Sequence, residues 1–275
     1  MYVTKMISPI IIALLCFQML PMLIPRVYAE DGLVGDWAFD EGSGNTVVDG
    51  SVYGNNGTLN NEPTWVDGIY GKALDFDGVN DYVRIPQSSS LDVTLQVTVE
   101  AWVYPRAYVD NLGTTSNVVA RSQLGGATVY TLATSSEGKV LYAVNPTPPL
   151  HSSVANLSLN TWTHLAMTYN GSYVRLYING TLDSYYALSG LIQTTTNWLA
   201  IGCRPNGPSG GSGTYAYFNG TIDDVRIYNR ALDQQEIQID MIPEFSSATI
   251  LPIFMMATLL LIIIYIQKKQ GRRKT

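Results

Sequence analysis

Between Leu33 and Tyr228 the chain is a succession of short stretches rich in Val, Ile, Thr and Tyr, separated by clusters of Gly, Asn, Asp and Pro. This is the signature of strands and turns, and no long 3.6-residue period interrupts it. Val97 to Tyr104 alternates: Val97, Val99, Ala101 and Val103 share one face, while Thr98, Glu100, Trp102 and Tyr104 share the other, so the aliphatic face is expected to be core. Thr163 to Tyr169, Tyr173 to Ile178 and Thr181 to Tyr185 are separated by Asn170-Gly171 and Asn179-Gly180. Asn-Gly pairs accept the positive φ of tight turns, so a three-stranded antiparallel meander is predicted. Asp233 and Glu236 have capping-box spacing, which predicts a short helix or turn over Ala231 to Ile237. Pro, Gly and Ser mark Asn145 to Ser153 and Arg204 to Thr214 as surface loops. Many strands without intervening helices give an all-β fold, and the length suits a two-sheet antiparallel jelly-roll sandwich over residues 30–240.

The two ends have a different pattern. Lys5, the mostly apolar Ile7 to Ile24 and Val27-Tyr28-Ala29 make residues 1–29 a signal helix for export, with the mature chain starting near Glu30. The run is also long enough to stay uncut, although Pro9, Gln18, Pro21 and Pro25 suit a permanent helix poorly. Residues 241–247 form a short linker and 248–266 a transmembrane helix, apolar enough to cross about 30 Å of hydrocarbon. Lys268, Lys269, Arg272, Arg273 and Lys274 follow in a basic tail, residues 267–275, which the positive-inside rule leaves in the cytoplasm. The sandwich is therefore expected outside the cell, at the surface, anchored by its C-terminus.

Charge sharpens that division. All twenty-two Asp and Glu lie between Glu30 and Glu244, against nine Lys and Arg in the same stretch. An acidic exterior repels phosphate backbones and argues against a nucleic-acid partner. Cys16 falls in the signal, so Cys203 is alone in the mature chain, and a hydrophobic core must supply the stability. Asn56, Asn156, Asn170, Asn179 and Asn219 each begin an Asn-x-Ser/Thr glycosylation pattern.

Several motifs then occur in order: Gly35 to Gly44, Asn55 to Leu59, Gly71 to Gly78, Asp81 to Pro86, Val99 to Val103, Thr161 to Leu165, Leu176 to Gly180 and Ile222 to Leu232. In this order the chain from Gly32 to about Ile239 resembles the concanavalin A-like, laminin-G-like sandwich, a frequent accessory domain of secreted prokaryotic proteins. That resemblance implies the fold but does not specify a ligand. Pro243-Glu244-Phe245 before the apolar span resembles an archaeal surface-sorting signal, which implies cleavage by a membrane transpeptidase and transfer to a lipid anchor.

Some enzymes of this fold carry Glu-x-Asp-x-x-Glu on one strand, because retaining hydrolysis needs two carboxylates about 5 Å apart. No such run is present, and adjacent Asp223 and Asp224 point to opposite faces, so no catalytic residue is assigned. Calcium is a candidate structural ion, with Asp40, Asn56 and Asp223 as ligands; the same residues equally suit Asx turns and strand ends. Sugars stack C–H faces on Trp or Tyr and hydrogen-bond through their hydroxyls. Trp37, Phe39, Trp102 and Trp162 are read as packing residues, whereas Tyr130, Tyr142, Trp198, Tyr215 and Tyr217, with Arg204, are read as loop residues that bind the sugar. Glu100 and Arg175, off the aliphatic faces, could form an ion pair. The expected function is a non-catalytic module binding carbohydrate or a cell-envelope glycan, with a structural envelope protein as the alternative and a glycoside hydrolase as the less favoured one.

N-terminal sequencing of the protein from its membrane fraction is expected to start near Glu30; a chain beginning at Met1 would make the first helix a permanent anchor.

Overall fold

Alternation builds this molecule. The computed structural model describes residues 31–108, 115–123, 127–145, 150–205 and 216–242. The expected signal, Pro-Glu-Phe motif, membrane span, basic tail and Tyr215 lie outside the described residues. Within them no helix is long and apolar enough to cross a membrane.

In chain order the strands are β1 (Leu33–Trp37), β2 (Thr46–Val47), β3 (Gly57–Asn60), β4 (Thr64–Asp67), β5 (Lys72–Asp77), β6 (Tyr82–Ile85), β7 (Val97–Ala107) and β8 (Ser116–Ser122). They continue as β9 (Thr128–Thr134), β10 (Lys139–Val144), β11 (His151–Asn156), β12 (Thr163–Tyr169), β13 (Tyr173–Ile178), β14 (Thr181–Ala187), β15 (Leu199–Ile201) and β16 (Asn219–Tyr228), before a short helix α1 (Gln234–Asp240). One sheet runs β14-β13-β12-β7-β16-β5-β4, with β1 also paired to β16; the other runs β11-β10-β9-β8-β15-β6-β3-β2. The strand pairs are antiparallel, so the expected two-sheet antiparallel sandwich is what forms.

The core is the space between the sheets. Val97, Val99, Ala101 and Val103 are fully buried there, together with Leu165, Met167, Val174 and Leu176 from the meander. Each of these Val, Leu and Met side chains removed from water contributes about 1.5–3 kcal/mol. Trp37 and Phe39 are core as expected. The meander also forms, with β12 paired to β13 and β13 to β14. Its two turns differ. Asn179 and Gly180 both take positive φ, 49° and 68°. At the other turn only Gly171 does, because the Asn170 carboxamide oxygen accepts from the Ser172 and Tyr173 N–H groups and organises a longer loop.

The second face of β7 departs from the simplest expectation: Thr98, Glu100 and Trp102 are buried too. Helix α1 and the residues leading into it lie over that face and pack Leu232 and Ile237 on Ala166, Tyr177 and Tyr228. Its N-terminus is the predicted capping box, with the Asp233 side chain accepting from Glu236 N–H and the Glu236 carboxylate from Asp233 N–H, and the helix runs three residues further than expected. Beneath it Arg226 lies 3.1 Å from Asp36 and from Asp224, and 4.0 Å from Glu100. Glu100 therefore faces Arg226, not Arg175. Burial opposes the Arg226 charge, but Asp224, Asp36 and Glu100 outweigh it and hold the guanidinium protonated.

Where the chain enters the fold, Asp49 is a hub. Its two carboxylate oxygens accept from Asp36 N–H, Ser51 N–H, Ser51 Oγ–H and Asn55 N–H, at 2.7–2.9 Å. Asn55 in turn donates to the Val34 carbonyl and accepts the Trp37 indole N–H on its own carbonyl. Replacing Asp49 by Ala strands several of these donors and is expected to lower unfolding free energy by about 2–4 kcal/mol in urea titrations, with Asp49→Asn losing less.

Candidate functional site

Of the residues expected to bind a sugar, Tyr130 and Tyr142 are corrected outright: they lie in β9 and β10, not in loops, and fill the core between the sheets. Strand alternation points both inward, opposite Arg121 and Leu132. Burial pushes both phenols up to about 12. Trp198 is buried on the outer face of the second sheet, where its ring meets Tyr82 at 5.5 Å and Arg84 at 5.6 Å. Tyr217 packs against this cluster, and Arg204 donates to Thr128 Oγ1. The structure thus brings Trp198 and Tyr217 together, but leaves no Trp198 ring face for a sugar to stack on.

The expected calcium donors serve the backbone. Asp40 accepts from Lys72 N–H at 2.7 Å, Asn56 from Asp49 N–H at 2.9 Å, and Asp223 from Ile69 N–H at 2.9 Å and Asp224 N–H at 2.8 Å. Asp40 and Asp223 clamp one turn, residues 68–72, so closely that a Cβ at Gly68 or Gly71 would overlap a carboxylate. That turn holds Tyr70 edge-on to Trp102, 6.2 Å between centroids, with its hydroxyl donating to the Met241 carbonyl. Among the described residues no three His, Cys, Asp or Glu side chains are placed to hold a metal ion. These donors fit a backbone-holding role rather than a shared ion. Burial, then the neighbouring Asp224, push the Asp223 carboxyl up to about 8, against the pull of its backbone donors.

His164 and Glu100 approach to 3.9 Å, but both are fully buried under the α1 side of the sheet. Burial, then Arg226, press the imidazole down to about 3, so it stays neutral. A base sealed from solvent meets no substrate.

An open cleft lies at the opposite edge, where β4 leaves its sheet and β2 and β3 leave theirs. It encloses about 460 Å³ and is lined by Gly44, Asn45, Leu59, Asn61, Glu62, Pro63, Thr64 and Trp65. Cross-strand pairing with Leu74 sets Trp65 on the core side of β4, where the ring half-closes the end of the sandwich and its Nε1–H donates to the Gly44 carbonyl at 3.1 Å. Around it Asn45, Glu62 and Thr64 are exposed, and among the described residues their side chains make no hydrogen bond or ion pair. Asn61 and Glu62 both hold positive φ, 61° and 71°, a conformation that costs a non-glycine residue about 1–3 kcal/mol. Asn61 is held there by its donation to the Asn80 carbonyl. Sequence reasoning missed this site. Its signal was present as a tryptophan directly after a polar Asn60-Asn61-Glu62-Pro63-Thr64 run, but nothing in that run shows that Gly44 and Asn45 close the other wall.

Two eight-stranded antiparallel sheets with joined first and last strands are widely shared, and a family model described as the concanavalin A-like lectin/glucanases superfamily matches residues 77–238. The chain belongs to this superfamily. The Trp65 cleft lies before the matched segment. Among solved structures, this superfamily member is similar to domain 4 of AbnA, an extracellular arabinanase of Geobacillus stearothermophilus in complex with arabinotriose, at 21% identity and a TM-score of 0.58, over 76% of this chain and 97% of that one. It is also similar to the binding domain of Paraclostridial Mosquitocidal Protein 1 (17%, TM-score 0.61, 77% of this chain and 52% of that one) and to Trypanosoma rangeli sialidase (19%, TM-score 0.55, 75% and 32%). The chain thus spans about half of the toxin domain and a third of the sialidase. These likenesses establish the fold. No curated protein sequence matches the chain.

The Asp223 carboxyl gives a pH test. Its folded value lies above its unfolded value of 3.8, so the folded state keeps a proton that the unfolded chain releases, and its stabilisation drains as pH rises from about 4 to about 8. Asp223→Asn removes that slope. Between about pH 5 and about pH 8 the urea midpoint of the Asn variant is expected to gain on wild type; parallel midpoints would place the carboxyl in the ordinary range.

Proposed function

We propose that this superfamily member is a non-catalytic carbohydrate-binding module, exported and displayed at the cell surface, and that it takes its sugar in the Trp65 cleft. The observation that carries the reading is the composition of that cleft: one partly buried indole beside the exposed Asn45, Glu62 and Thr64, whose side chains make no hydrogen bond or ion pair among the described residues. A pyranose or furanose offers a C–H face to the ring and hydroxyls to the amide, carboxylate and hydroxyl groups around it. A cavity of this size suits a ligand of one or two sugar units, which fits recognition of a chain end or a short stretch. Backbone strain at Asn61 and Glu62 supports it further, since strain of this kind tends to be retained where it positions a functional group.

Two similar structures support a binding role: one is the domain of an arabinanase seen with arabinotriose, another the binding domain of a toxin. Burial of His164 and Glu100 supports the non-catalytic part. The acidic exterior favours neutral sugars at this cleft, because Glu62 on its rim repels a carboxylate.

Calorimetric titration with arabinotriose and a panel of neutral oligosaccharides tests the assignment. Trp65→Ala is expected to weaken binding at least about tenfold, the loss of one aromatic platform, and Glu62→Gln to weaken it less with no change in thermal stability. Binding that survives both variants would remove the cleft from the account; silence across a glycan array, with co-purification of envelope proteins, would replace the sugar by a protein partner.

A further inference from the structure

A second feature stands at the far edge of the same sheet. Strands β13 and β14 end that sheet on the side opposite β4, five and six strand spacings away, or roughly 25–30 Å. Their inner face is closed. Asp183 accepts from the Val154 and Ala155 N–H groups of β11, Ser184 shares a hydrogen bond with Tyr142, and His151 stacks on Tyr186 at 4.1 Å. The outer face is covered by α1 at Tyr177, and beyond that contact it carries Tyr173, Arg175 and Tyr185. Arg175 and Tyr185 are cross-strand neighbours, and Tyr173 lies two residues along β13 on the same face. The tyrosines are 40% and 60% exposed, with centroids 6.1 Å apart and planes at 64°, and the Arg175 guanidinium sits 5.1 Å from the Tyr173 centroid.

The guanidinium of this patch is not tied up by a carboxylate, a state it shares with Arg84 on the Trp198 ring, though only Arg175 stands beside two exposed rings. In a chain of net charge −6, Arg106, Arg121, Arg226 and Arg230 all pair with carboxylates. Arg175 does not: among the described residues it makes no ion pair and no hydrogen bond, and neither tyrosine hydroxyl makes one. A guanidinium stacked on one ring and facing a second therefore keeps its donors for something outside the protein. Two splayed rings offer apolar faces to a sugar, and the guanidinium offers a fork of N–H donors to a carboxylate.

We infer that Tyr173, Arg175 and Tyr185 form a second saccharide site, selective for a sugar that bears a carboxylate, such as a uronic acid. One cation amid acidic surroundings complements one carboxylate per ligand, whereas a dense polyanion would be repelled by the remainder of the surface. The inference shares the saccharide-binding reading only in its ligand class; its residues are separate from the Trp65 cleft. With both sites occupied, one module contacts a polysaccharide at two points roughly 25–30 Å apart, and linked contacts raise avidity beyond either site alone.

The test titrates wild type, Arg175→Gln, Arg175→Lys, Tyr185→Ala and Trp65→Ala with tetragalacturonate and, separately, with arabinotriose. Arg175→Gln and Tyr185→Ala are expected to weaken tetragalacturonate binding about tenfold, with partial recovery in Arg175→Lys and weaker binding at higher salt, while leaving arabinotriose unchanged. Trp65→Ala is expected to do the reverse. Tetragalacturonate binding insensitive to Arg175 and Tyr185 overturns the second site and leaves the cleft standing. Loss with Arg175→Gln alongside indifference of arabinotriose to Trp65→Ala overturns the cleft and leaves the second site. No binding of either sugar to wild type overturns both.

Discussion

Two apolar sheet faces that must hide from water against each other are the constraint on which everything else here rests. Because side chains alternate along a strand, each sheet can give only one face to that shared core. The positions left for chemistry are the outer faces and the edges. Val97, Val99, Ala101 and Val103 show the constraint at its plainest, since their burial fixes where Glu100, Trp102 and Tyr104 must go.

What covers the outer faces then decides where a ligand can bind. On one sheet α1 and the 68–72 turn bury Glu100, His164 and Arg226, and the cluster survives burial because its guanidinium is surrounded by carboxylates. Asp40 and Asp223 hold the covering turn in place, so residues that look like cation ligands act as clasps for backbone. With the centre of that face closed, its exposed aromatic chemistry falls to the β13–β14 edge, Tyr173 with Tyr185, while Trp65 sits on the core side of β4 at the other end of the sandwich. Trp65, Tyr173, Arg175 and Tyr185 are thus held on strands, whereas Asn45 and Glu62 of the cleft stand in the connections beside them.

The superfamily's fold carries many activities, so the site rather than the fold has to bear the functional argument. The polar groups of the cleft face solvent, whereas His164 and Glu100 are sealed in the protein.

The sequence by itself determined the local and periodic features: the strand alternation of β7, the Asn-Gly meander, the capping box at Asp233 and the all-β class, because each depends on residues within a few positions of one another. It also made Trp37 and Phe39 legible as core. It did not reveal which face of a strand stays open, and so it offered Tyr130, Tyr142 and Trp198 as binding residues although all three are buried. Nor could it pair Gly44 with Trp65, or Arg175 with Tyr185 in place of Glu100. Those juxtapositions depend on strand register and on α1 folding back over the sheet, and both are set by long-range packing that no single stretch of chain contains.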